Sequence, residues 1–148
     1  MLSKREVREK YDNFAKWYNL AEGFGEYLLI RKLRKELISQ ASGNVLEVGV
    51  GTGRNIQYYP KSCRITAIDL SSSMLEIAQK QARELRKDIT FHVMDAENLS
   101  FSDHSFDTIV DSLCLCTYPN PISALHEMKR VCKRDGRILL LEHGRTDR

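Results

Sequence analysis

The chain has no long apolar run. Its longest aliphatic stretch, Ile138 to Leu141, is far too short to cross a bilayer. The opening Met1-Leu2-Ser3-Lys4-Arg5-Glu6 is charged and lacks the apolar core of a signal peptide, so a cytoplasmic location is the default expectation. No C-x-x-C occurs among Cys63, Cys114, Cys116 and Cys132. The C-x-C at 114 and 116 has no second pair, which argues against a structural zinc or thioredoxin-type site. Read as a strand, positions 114 and 116 point to one face, and all four thiols are expected to be reduced, small apolar fillers. A large charge imbalance is missing too. The net charge of +3 comes from residues 1–40, with nine Lys/Arg against six Asp/Glu, while the remainder balances at fourteen of each. Such an excess can draw anionic lipid or nucleic acid, but a solvated helix face explains it as well. Neither an internal repeat nor a low-complexity linker interrupts the chain.

What is present suits one soluble globular domain. The length of 148 residues is enough for a proper core, and 42% hydrophobic with 29% charged residues is ordinary. Residues 4–20 carry Val7, Tyr11, Phe14 and Tyr18 at helical spacing, an aromatic stripe ended by Gly23 and Gly25. A second helix is predicted over Glu26 to Gln40, with Leu29, Leu33 and Leu37 on its apolar face, closed by Ser42-Gly43. Either helix could lie on a membrane surface; packing against a sheet is the simpler expectation.

From there strand and helix alternate. Val45 to Val48, Arg64 to Asp69, Ile89 to Asp95, Phe106 to Asp111 and Arg137 to Glu142 read as strands. Ser71 or Ser72 can cap a helix running through Met74 to Leu85. Pro119-Asn120-Pro121 introduces another helix with Leu125, Met128 and Val131, and Asp135-Gly136 turns into the fifth strand. Alternation of this kind predicts an α/β fold, an open doubly wound, mostly parallel sheet covered on both faces.

Glu47-Val48-Gly49-Val50-Gly51-Thr52-Gly53 follows the first strand with three glycines at alternate positions. Strand, glycine turn and helix bring a small charged ligand against bare backbone N–H groups. Glu47, Asp69 and Asp95 close strands one, two and three, so all three acids open on the same sheet edge. An acid about 20 residues past the glycines suits two ribose hydroxyls. The acid after strand three can reach an adenine amine. Asp69 or Asp95 alone could equally cap the helix that follows it. A dinucleotide fingerprint requires glycine at position 54, which is Arg54, and no Lys-Ser or Lys-Thr follows to make a P-loop. Glu47 beside the turn would repel a phosphate and attract an ammonium, so the ligand should join an adenosine to a cation.

These residues resemble the E/D-x-G-x-G-x-G motif of class I S-adenosylmethionine-dependent methyltransferases. Ile68-Asp69-Leu70-Ser71, Asp95-Ala96-Glu97-Asn98-Leu99, Phe106-Asp107 and Val131 to Arg137 extend the resemblance from about residue 5 to the C-terminus. Tyr11 to Asn19 is similar to the lid helix of the ubiquinone/menaquinone-biosynthesis and methyltransferase-type-11 branch. Leu115 to Pro121 and Leu141-Glu142-His143 look like the phospholipid and thiol methyltransferase subset. The resemblance implies a Rossmann-like sheet of order 3-2-1-4-5, with the family's last two strands absent. Residues 1–42 would be lid and packing helices of the same domain, and 43–148 the cofactor-binding α/β core.

It implies S-adenosylmethionine as cofactor, S-adenosylhomocysteine as product, and no metal. Gly49, Gly51 and Gly53 would cradle the methionine moiety, with Glu47 near its amino end and Ser112 near its amine. Asp69 would hold the ribose hydroxyls, Leu70 would lie on the adenine, and Asp95 and Ala96 would meet its edge. A sulfonium is already an activated methyl donor, so aligning an acceptor and removing water are the main tasks. Tyr11, Tyr18, Tyr118 and His143 are candidates on the substrate side, with His143 the candidate base; no catalytic residue is assigned. The acceptor is expected to be a small molecule or lipid. Nucleic acid is disfavoured, since no N/D-P-P-Y/F motif and no strong basic patch occur. The fifth-strand edge, lacking the family's hairpin, would be a pairing hazard to be buried by a second copy, a domain swap or the N-terminal helices. Peripheral membrane contact stays open, as does a module that binds cofactor without turnover of its own.

Overall fold

The structure is a computed structural model that describes residues 4–6 and 24–143. The aromatic stripe with Tyr11 and Tyr18 lies outside the described residues. Helix α1 (Phe24–Ile38) leads into strand β1 (Asn44–Val48), a short 3-10 turn η1 (Ile56–Tyr58), β2 (Arg64–Asp69), α2 (Ser72–Glu84), β3 (Ile89–Val93) and β4 (Phe106–Ser112). A second 3-10 turn η2 (Leu115–Thr117), helix α3 (Pro121–Val131) and β5 (Cys132–Leu141) follow. The five strands form one parallel sheet in the order β3-β2-β1-β4-β5, as expected.

The side-chain period of two divides each central strand between two cores. Leu46, Val48 and Ile68 face Ala124, Met128 and Val131 of α3. Val45 and Ile65 face the other way, toward Ile38 at the end of α1, and Ala67 meets Leu75, Ala78 and Ala82 of α2. Helices therefore cover both faces, and β1 and β4 are buried along nearly their whole length. Ser71 caps α2, accepting from Met74 N at 3.2 Å, and Asn120 caps α3 through Ser123 N at 3.1 Å with Pro121 at its first turn.

Three expectations need correction. Helix α1 does pack on the sheet, but not through a leucine face: Leu29 is 60% exposed and Leu33 38%, and only Leu37 is partly buried. The inward face is Arg34 and Ile38, with Ala41 buried just past the helix end. A buried cation at its centre hides that face from a count of apolar residues. Cys114 and Cys116 are not on a strand. β4 ends at Ser112, Leu113 turns the chain at φ 62°, and Cys114 precedes η2, so the two thiols do not share a strand face. Finally, β5 begins pairing at Cys132 opposite Phe106, bulges out over 133–136, and resumes at Arg137 opposite Thr108. The Asp135-Gly136 turn sits inside that bulge. A Cβ on Gly136 would stand 2.9 Å from Asp107 O, so only glycine lets the backbones approach there.

Candidate functional site

The strand order reverses between β1 and β4, and a crevice opens at the carboxyl ends of strands where this happens. A cleft open to solvent on one side lies there against the glycine turn.

The turn is closed by Gly53 N donating to Val50 O at 3.0 Å and held by its neighbours. Val50 N donates to Ile68 O at 2.9 Å, and Gly51 N donates to Asp69 Oδ2 at 2.8 Å. Asp69 Oδ1 accepts from Ser71 N at 2.9 Å, so one carboxylate ties the turn to the start of α2. Gly49, Gly51 and Gly53 have φ of 68°, 55° and 84°, conformations that side chains rarely adopt. Their surroundings differ. A methyl on Gly51 meets no atom within 4 Å; one on Gly49 would be 2.7 Å from Cys114 Sγ; one on Gly53 would be 3.2 Å from Ala78 Cα.

Each acid behaves differently. Asp95, two residues past β3, accepts from Glu97 N at 2.9 Å and from Lys4 Nζ at 2.5 Å. Glu47, inside β1, is buried: Oε1 accepts from Asn55 Nδ2 at 2.8 Å and Oε2 from Tyr59 Oη at 2.9 Å. Burial pushes its carboxyl up to about 7, against the opposing pull of those hydrogen bonds and of Arg34. Asn55 also donates to Ser112 Oγ at 3.0 Å and accepts from Arg34 Nη1 at 2.8 Å. Helix α1, strands β1 and β4 and the glycine turn thus meet at one amide.

On the β4–β5 side, Tyr118 Oη donates to Asp111 Oδ2 at 2.7 Å, beside the position a Gly49 methyl would occupy. Asp111 is fully buried and its Oδ1 has no hydrogen-bond partner among the described residues. Burial, and the Glu142 carboxyl next to it, push Asp111 up to about 8. Burial and the second acid alongside outweigh the Tyr118 hydrogen bond and favour the protonated form of Asp111 at neutral pH. Burial likewise drives the Tyr118 phenol and the Cys114 thiol upward, so neither is an ionised nucleophile.

Glu47, Gly49, Gly51, Asp69, Leu70, Asp95, Ala96, Ser112 and Tyr118 all line the cleft. Gly53 does not; it packs against Ile56 and Ala78, where the turn meets α2. His143 is exposed past β5 and is not on the cleft wall. Sequence reasoning missed Lys4, Arg34, Asn55, Tyr59 and Asp111. Only Asp111 carried a signal, as an acid ending the apolar run Ile109-Val110. Among the described residues, no group of three His, Cys, Asp or Glu is placed to hold a metal.

A methyltransferase domain family model matches residues 46–140. The chain is 38% identical to the mitochondrial methyltransferase OMS1 of Saccharomyces cerevisiae, over 98% of this chain and 35% of that protein. It is 34% identical to the phosphatidylethanolamine N-methyltransferase of Cereibacter sphaeroides, over 75% of this chain and 56% of that one. The chain thus spans between a third and three fifths of the length of these curated relatives. The structure of N-methyltransferase NodS from Bradyrhizobium japonicum, in complex with S-adenosyl-L-homocysteine, superposes with a TM-score of 0.75 at 21% identity, covering 90% of this chain and 71% of that one; at that identity it shows the fold. With the glycine turn, its three acids and the 3-2-1-4-5 sheet all in place, the matched segment establishes that the chain belongs to the class I S-adenosylmethionine-dependent methyltransferases.

Proposed function

We propose that the cleft binds S-adenosylmethionine and that the protein moves its methyl group to a small-molecule or lipid acceptor by in-line displacement. The observation that carries this is Gly51. Its N–H is pinned by Asp69, its α-carbon faces empty space, and the pinning carboxylate lines the same cleft. That is the shape of a cradle for a ribose and its 5′ substituent. Ser71 N on Asp69 supports the helix-capping role as well, and the two roles are compatible because one carboxylate serves both.

The sulfonium, when bound, supplies an activated methyl and its own leaving group. The chain's residues then orient and exclude. Asp95 and Ala96 take the adenine edge, Leu70 its face, and Ser112 and Glu47 the amino end. Tyr118, fixed by Asp111, lines the acceptor side. Lipid or small-molecule acceptors fit a cleft that is open on one side and, among the described residues, carries no basic track for a nucleic-acid backbone. Among the described residues no helix is long and apolar enough to cross a membrane, and contact at a membrane surface would come through exposed residues such as Leu28 and Leu29 of α1. A second reading, cofactor binding without independent turnover, is supported by the share of its relatives' length that the chain spans, between a third and three fifths. The outer edge of β5, uncovered by another strand among the described residues, is where a second copy would pair.

Calorimetry tests the first reading. S-adenosylhomocysteine should bind well ahead of NAD or ATP, and Asp69→Ala should weaken it by about 1–3 kcal/mol, the cost of leaving hydrogen-bonding groups unpaired. Tighter binding of NAD would overturn the assignment. Methyl transfer by the chain alone to any acceptor in a panel of amines, thiols and quinols would exclude the second reading.

A further inference from the structure

A second depression opens between α1, the 3-10 turn η1 and α2, on the flank of the molecule. Its lining is rich in donors. Arg31 and Arg34 come from α1, Arg54, Gln57 and Tyr58 from the segment after the glycine turn, and Gln81 from α2. No acid lines it among the described residues. Arg34 and Arg54 also line the cofactor cleft, so the two cavities share a wall of cations. The basic excess of residues 1–40 is thereby divided. Lys32 lies on the outer face of α1, its side chain 74% exposed and 3.9 Å from Glu36, while Arg31 turns into the depression. Arg31 Nε donates to Tyr58 Oη at 3.3 Å, which holds that guanidinium against η1. Gln57 Nε2 donates to Arg54 O at 3.3 Å, fastening its amide to the same segment.

Three guanidiniums brought to one concavity repel one another, and a hollow lined by one sign of charge focuses its field on the opposite sign. A single carboxylate would offset only one of the three. A phosphate monoester carries close to two charges at neutral pH and three strong acceptor oxygens, and the planar guanidinium fork matches it in shape. The two amides and the tyrosine hydroxyl add neutral donors for the remaining lone pairs. We infer that this depression is a second binding site, which takes a phosphate group between Arg31 and Arg54. The site does not depend on the cofactor reading above. A soluble phosphate ester and a phospholipid headgroup present the same chemistry. The lipid source is compatible with α1, whose Leu28 and Leu29 are 49% and 60% exposed on the helix that carries Arg31.

The test is an NMR titration of the whole chain with inorganic phosphate and with glycerol 3-phosphate at fixed ionic strength, against acetate as the comparison anion. Both phosphates should bind roughly tenfold tighter than acetate, with shifts centred on Arg31, Arg54 and Gln81. Arg31→Gln should weaken phosphate binding by about tenfold, the loss of a charge-assisted pair. Lys32→Gln removes the same charge one residue away and should change it by less than about twofold. Arg31 is exposed, so its replacement should not cost the fold. Flotation with phosphatidylcholine vesicles, with and without phosphatidic acid, separates the sources. Flotation that needs phosphatidic acid, is lost in Arg31→Gln and persists in Lys32→Gln assigns a lipid phosphate. Binding of soluble phosphate without flotation assigns a free ester. Acetate bound as tightly as phosphate, equal losses from the two variants, or no binding in either arm would overturn the inference. The cofactor reading is untouched by any of these outcomes.

Discussion

The three glycines of the turn allow fold and ligand binding to be separated. Each has positive φ, so replacing any of them with alanine costs roughly 1–2 kcal/mol of backbone strain. For Gly51→Ala that is the whole cost to folding, because the new methyl meets nothing within 4 Å. For Gly53→Ala the methyl lands 2.7 Å from Ile56 Cδ1 and 3.2 Å from the Ala78 backbone, adding about 1–3 kcal/mol of overpacking. Urea unfolding followed by circular dichroism should rank the variants wild type, Gly51→Ala, Gly53→Ala in falling stability. Calorimetry with S-adenosylhomocysteine should give a different order. The Gly51 methyl occupies space on the cleft wall, and a clash of about 2 kcal/mol corresponds to roughly 30-fold weaker binding. Gly53 does not line the cleft, so Gly53→Ala, where it still folds, should retain more of the affinity. Binding by Gly51→Ala within twofold of wild type would refute the placement of the ligand against the turn.

Two further perturbations test the β4–β5 side and the scaffold. Asp111 has its folded pKa raised to about 8, so the native state holds a proton that the unfolded chain releases above its ordinary value of 3.8. Its stabilising contribution is complete below that value and is lost as pH rises toward 8, with a slope of at most about 1.4 kcal/mol per pH unit. Asp111→Asn should flatten the decline in denaturation midpoint between pH 5 and 8, and an unchanged slope would show that Asp111 is ionised in the native state. Arg130 binds the Leu99 and Phe101 carbonyls at 2.8 Å each while paired to Glu127 and Asp103, tying the loop after β3 to α3. Arg130→Lys keeps the charge but not the fork. A loss of about 1–3 kcal/mol in urea unfolding is expected, whereas exposed ion pairs alone would give under about 1 kcal/mol.

The sheet was legible because its evidence is local. β-branched runs, serine and asparagine caps and the glycine turn each announce themselves over a few residues, and 3-2-1-4-5 followed from the family resemblance. The acids of the turn were legible for the same reason. Arg34, Asn55 and Tyr59 were not, because their roles arise only when α1 and η1 fold over β1. In the sequence, Arg34 is one charge in a basic helix, and the leucines around it invite the wrong face to be chosen. Asp111 marks the boundary. A buried acid in an apolar strand is visible, but its consequence depends on Glu142, 31 positions later and brought alongside by the β4–β5 pairing.

The amide of Asn55 has a consequence for how the protein can be divided. Its two ends are not interchangeable: the oxygen must face the Arg34 cation and the nitrogen the Glu47 carboxyl, so the orientation is dictated by charge. One of those partners precedes the first strand. The family match begins at residue 46 and a boundary at residues 42/43 looks natural on sequence grounds, yet either cut removes the cation on which that amide is aligned. A fragment trimmed to the α/β core would keep every glycine and every acid of the motif and still lose one wall of the cleft they serve.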